Sequence, residues 1–79
     1  MKKDIFIKEI SKILKVNSKK LIQIDNFSQI EEYDSLCQLS LLLMYDKFKI
    51  DKKIIQELSN LQELSKIISK LDKNSFFKN

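Results

Sequence analysis

Asp34-Ser35-Leu36 opens the most apolar run of the chain, Leu36 to Tyr45, and it is the one place where residue types and spacing point to chemistry. Asp34 is a strong helix N-cap type, since its carboxylate accepts the orphan N–H groups of a first turn. That leaves the Ser35 hydroxyl outside the cap, at the positive end of the helix, where a phosphate is favoured. A hydroxyl so placed suits covalent phosphate attachment. Taken on these three residues alone, Ser35 reads better as an ordinary helix-start serine.

Little else in the chain is equipped for catalysis. There is no histidine, so the commonest general base and the commonest transition-metal ligand are missing. The single cysteine, Cys37, can form neither an intramolecular disulfide nor a thiolate cluster. With no evident activating base, it reads as a small half-buried apolar residue. The 79 residues allow one modest core, too little to enclose a conventional active-site cleft. A non-enzymatic protein without a metal site is expected.

The elements that must hold Ser35 are helical. Glycine and proline are both absent, and no period-2 pattern persists. Phe6, Ile10, Ile13 and Leu14, with Ile7 alongside, recur at three- and four-residue spacing and predict a helix from about Lys3 to Val16, stopped by Asn17-Ser18. Residues 17–33 form a long connection, pinned by Leu21, Ile24, Phe27 and Ile30, with Tyr33 packing at its corner. A second helix spans about 35–48. Asp51 caps a short third one carrying Ile54, Ile55 and Leu58. A fourth starts at Ser59 or Asn60, where Asn60 and Glu63 fit a capping box, and its apolar face is Leu61, Leu64, Ile67, Ile68 and Leu71. The expected fold is all-α: a small four-helix bundle with three longer helices, one short helix and a long first loop. The domain covers residues 1–73. Residues 74–79, with Phe76 and Phe77 outside any periodicity, form a flexible tail.

The second helix is apolar on two sides. At 100° per residue Leu41, Tyr45 and Phe48 share one face, while Leu36, Leu39 and Leu43 make another stripe that starts beside Ser35. Either this stripe packs under the long loop, or it is an exposed surface for a partner.

Charge divides in the same place. The net charge is +4 and every basic residue is lysine. Without arginine there is no bidentate fork for bases or phosphates, so no nucleic-acid partner is expected. Glu31, Glu32, Asp34 and Asp46 against Lys47 leave residues 31–48 at −3, with net positive segments on both sides. No stretch approaches a membrane span or a signal peptide, so no membrane insertion and a reducing cytoplasm are expected.

The Asp34-Ser35-Leu36 segment resembles the attachment motif of acyl carrier proteins. Val16, Leu21, Phe27, Leu39 and Leu41 fall in place around it without gaps. Phe48, Ile54 and Leu58-Ser59-Asn60-Leu61-Gln62 are similar to the family's third-helix region and the start of its last helix. The resemblance spans roughly residues 5–71. The chain departs from it in the approach Ile30-Glu31-Glu32-Tyr33, in one residue fewer between Ser35 and Phe48, and in its basic charge. The aromatic before Asp34 is more like specialised, free-standing carriers of dedicated biosynthetic pathways.

The resemblance implies a bundle of acyl-carrier type and a 4′-phosphopantetheine arm from coenzyme A on Ser35, installed by a phosphopantetheinyl transferase that Asp34 helps to place Mg²⁺ and coenzyme A. The arm would carry acyl groups as thioesters between loading and transfer enzymes, with the protein a monomer. Leu36, Leu39 and Leu43, with Glu31, Glu32 and Asp46, would dock those enzymes. Leu41, Ile54, Leu61 and Leu64 would part for an acyl chain. Two alternatives remain: an aminoacyl or peptidyl carrier with the same arm, and a basic helical interaction domain with no arm.

Overall fold

The computed structural model describes residues 1–31 and 33–77. Among them there are five α-helices and no strand. Helix α1 (Lys3–Leu14) buries Phe6, Ile10 and Leu14, and its one buried polar side chain, Ser11, donates its hydroxyl to the Lys8 carbonyl at 2.7 Å. That bond satisfies the hydroxyl within the helix itself.

The connection to the next long helix contains regular structure that its sequence pattern does not show. Residues 17–33, expected to form a long connection pinned by its apolar side chains, contain α2 (Ser18–Gln23) and a 3₁₀ turn (Phe27–Gln29). Asn17 begins α2 instead of merely ending α1: its Oδ1 accepts the Lys20 N–H at 2.8 Å. In the 3₁₀ turn, Asn26 Oδ1 accepts from Ser28 N–H at 2.9 Å, and Gln29 Oε1 accepts from Asn26 N–H at 3.1 Å and Asp25 N–H at 2.8 Å. Leu21, Phe27 and Ile30 are buried, and the Phe27 N–H donates to the Gln62 carbonyl at 2.7 Å, tying this segment across the bundle.

Helix α3 (Ser35–Lys47) packs on α1 and on α4 (Lys52–Ser59), and α5 (Leu64–Lys73) completes the core through Leu64, Ile67 and Leu71. Asp51 caps α4 by accepting the Lys53 N–H at 2.8 Å. The fourth predicted helix begins later than Asn60. Asn60 and Ser59 are spent on the end of α4, donating to the Gln56 carbonyl at 3.4 Å and 2.7 Å. The helix starts at Leu64, after Glu63, whose side chain makes no cap bond.

Three helices end alike in a chain without glycine. Lys15, Lys49 and Ser75 adopt left-handed backbone angles with φ of 57°, 60° and 57°. The next residue then donates back to a carbonyl five positions earlier: Val16 to Ser11 at 3.1 Å, Ile50 to Tyr45 at 3.1 Å, and Phe76 to Leu71 at 3.0 Å. Each stop places an apolar side chain against the helix it closes. The last stop directs the C-terminal segment inward where the sequence suggests a loose tail. Phe76 and Phe77 lie edge-on to Phe6 at 6.1 Å and 5.3 Å, and Phe6 also meets Tyr45 at 6.3 Å and Phe48 at 6.2 Å. Lys78 and Asn79 lie outside the described residues.

Candidate functional site

Ser35 is the first residue of α3 and is exposed. Asp34, not Ser35, supplies the cap, accepting the Cys37 N–H on Oδ1 at 3.0 Å. That backbone N–H is the main reason the Asp34 carboxyl titrates below the usual aspartate range. Desolvation opposes it, and the Cys37 side chain, the Leu36 N–H and the charge of Lys15 add to the lowering. The carboxylate is therefore charged at neutral pH and committed to the backbone, and the adjacent hydroxyl is left to the solvent side of a helix start.

The residues approaching α3 brace it. Tyr33 is half-buried with its ring 5.7 Å from that of Phe27, and burial raises its hydroxyl pKa, with a hydrogen bond to Gln38 opposing part of the shift. Phe27 is held to the α4–α5 turn through the Gln62 carbonyl, so the corner before Ser35 is fixed at both ends.

The two faces of α3 separate. Leu41 is 5% exposed, and Met44 and Tyr45 are buried with it. Leu36, Leu39 and Leu43 are 70%, 53% and 62% exposed, so this stripe is not covered by the long connection. Single exposed leucines are ordinary, but three at i, i+3 and i+7 on one helix form a continuous apolar strip. Glu31 and Asp46 are exposed; Glu32 lies outside the described residues.

Of the four residues expected to part for an acyl chain, Leu41 and Leu64 lie in one hydrophobic core, with Ile54 and Leu61 packed against it; the surface crevices divide them. Leu41 and Leu61 share a crevice of about 160 Å³ behind α3, with Tyr33, Tyr45 and Leu58 also in its wall. Leu64 instead lines a separate groove of about 500 Å³ with Ile7, Ile22, Ile24 and Ile68. Ile54 is half-buried on α4 and is not among the residues of that crevice. A larger opening adjoins Ser35: a cleft of about 560 Å³ formed by Ile13, Leu14 and Lys15 at the end of α1, by Glu31, Tyr33 and Asp34 in the approach, and by Leu36, Cys37 and Ser40 on α3. Lys15 and Ser40 carry no sequence signal for this role, because their proximity depends on how α1 crosses α3.

Among the described residues no three potential ligands gather into a metal site, and no helix is long and apolar enough to cross a membrane. Comparison with protein families, curated proteins and solved structures yields no match to this chain.

Proposed function

We propose that this protein is a carrier of the acyl-carrier kind, holding its cargo on a 4′-phosphopantetheine arm attached to Ser35. The observation that carries the reading is the division of labour at the start of α3: Asp34 makes the cap and Ser35 presents an exposed hydroxyl beside it. The residues present fit such an attachment. A phosphodiester on Ser35 would lie at the N-terminal end of a 13-residue helix, whose partial positive charge favours an anion, and no core group would have to move to admit it. When bound, the arm supplies a thiol that holds an acyl group as a thioester.

The chain itself does the presenting and the recognition. The fixed corner at Tyr33 and Phe27 holds Ser35 in place. The exposed Leu36, Leu39 and Leu43 strip offers apolar area to the transferase and to loading and transfer enzymes, with Glu31 and Asp46 at its two ends. Such exposed charges steer association more than they add affinity. A second reading, an aminoacyl carrier with the same arm, is supported by the aromatic Tyr33 just before Asp34 and by the net positive charge of the chain.

Intact mass tests the proposal. Incubated with coenzyme A and a broad-specificity transferase, the protein should gain about 340 Da, and Ser35→Ala should gain nothing while remaining folded. A protein that folds but gains no mass with any transferase is a helical interaction domain and not a carrier.

A further inference from the structure

We propose that the groove between α1, the end of α2 and the start of α5 is a docking site for a basic amphipathic helix of a partner protein. Its walls are Ile7 on α1, Ile22 and Ile24 at the end of α2, and Leu64 and Ile68 on α5. No residue of α3 lines it, so the site is separate from Ser35.

The shape suits a helix. At about 500 Å³ the groove is on the scale of sites that enclose organic groups, about 300–1,000 Å³. Ile22 at its edge is 64% exposed, and the buried side chain of α2 is Leu21, so Ile22 is not held by the core. An occupant that covers Ile22 has to run past the groove onto the surface of α2. A partner helix does this, laying a row of aliphatic side chains into the groove, whereas a compact small molecule does not.

Charge selects which helix. The protein carries a net charge of +4, yet the charged residues in the groove are Asp25 and Glu63, and among the described residues no lysine lines it. Lys66 takes up part of the Glu63 charge at 3.3 Å from outside the groove, and among the described residues no ammonium pairs with Asp25. Two carboxylates beside an aliphatic floor complement lysine or arginine flanking an aliphatic helix face. The exposed strip of Leu36, Leu39 and Leu43 on a second copy does not qualify as that occupant. It has Glu31 and Asp46 at its ends and would set carboxylates against carboxylates.

The test uses the full-length protein and two synthetic amphipathic helical peptides with the same leucine row, one flanked by lysine and one by glutamate, in NMR titrations. The lysine peptide should shift the amides of Ile22, Ile24, Leu64 and Ile68, leave those of Leu36, Leu39 and Leu43 in place, and bind about tenfold or more tightly than the glutamate peptide. The order is informative, because the overall positive charge favours the glutamate peptide and only the local carboxylates reverse it. Asp25→Asn combined with Glu63→Gln should weaken the lysine peptide by about 2–30-fold, the scale of two exposed ion pairs. Ile22→Lys, an exposed change that should leave the melting temperature unaltered, should weaken it by about tenfold or more. Preference for the glutamate peptide, shifts confined to the α3 strip, or no shift with either peptide overturns the proposal. The same shifts on concentrating the protein alone also overturn it, and assign the groove to a second copy. None of these outcomes bears on Ser35, whose modification is read separately by intact mass.

Discussion

Leu41 and Leu39 are two residues apart on one helix and should respond oppositely to the same substitution. Leu41 is 5% exposed and walls the crevice with Tyr45, Leu58 and Leu61, so Leu41→Ala removes buried methyl groups and leaves a void that rigid neighbours fill only in part. Transfer and cavity contributions together put the loss at about 2–4 kcal/mol. Leu39 is 53% exposed, so about half of its contact with water is already present in the folded state, and alanine is the better helix former. Leu39→Ala should therefore cost about 0–0.5 kcal/mol. In a domain of this size 1 kcal/mol moves the melting temperature by about 4–8 °C, so Leu41→Ala should melt roughly 10–25 °C lower and Leu39→Ala within about 4 °C of the parent. Urea melts followed by far-ultraviolet circular dichroism give the free energies directly, with the m-value showing whether the unfolded state has changed. Equal destabilisation by the two substitutions would mean that the Leu36, Leu39 and Leu43 strip is covered, and the docking role assigned to it would fail.

Three further outcomes follow from local geometry. Lys15→Gly and Lys49→Gly should each stabilise the protein by about 0.5–1 kcal/mol in urea melts, because both lysines bear the side-chain penalty of a left-handed angle that glycine lacks, less the entropy glycine adds to the unfolded chain. Deleting Phe76 and Phe77 with the residues after them should destabilise by about 1–3 kcal/mol, since both rings are half-buried on Phe6; an unchanged melt would mean that they do not hold the core. The Asp34 carboxyl, held low mainly by the Cys37 N–H, should titrate below the ordinary aspartate value in carboxyl NMR. A lowered folded pKa means that its contribution is present above the unfolded value of about 3.9 and is lost as pH falls through the folded one. The stability gap between the parent and Asp34→Ala should accordingly be largest near neutral pH and shrink in acid.

Helix α1 is legible from its apolar period, α3 from its apolar run and the Asp34 cap, and α4 from Asp51 with the apolar face that follows it. Helix α2 is not, because six residues with one buried side chain leave no period to detect, and Asn17 reads as a stop when it is in fact a start. Asn60 and Glu63 have the spacing of a capping box, but a polar residue between two helices can serve either, and Asn60 closes α4. Phe76 and Phe77 return to the core through a left-handed Ser75, a conformation that composition does not announce. The separation of Leu41 from Leu39 follows from helical angle alone. The cleft beside Ser35 does not, since Lys15, Tyr33 and Ser40 meet only through tertiary packing, and that same packing places Leu64 in a different groove from Leu41.

The most direct test of the central claim is to locate the modification by peptide mass spectrometry after treatment with coenzyme A and a phosphopantetheinyl transferase. The carrier reading predicts an added mass of about 340 Da on the peptide containing Ser35, fragmenting to leave the modification on that residue, and none anywhere in Ser35→Ala. An unmodified Ser35 peptide, or the same mass on another serine in the Ser35→Ala protein, would contradict it.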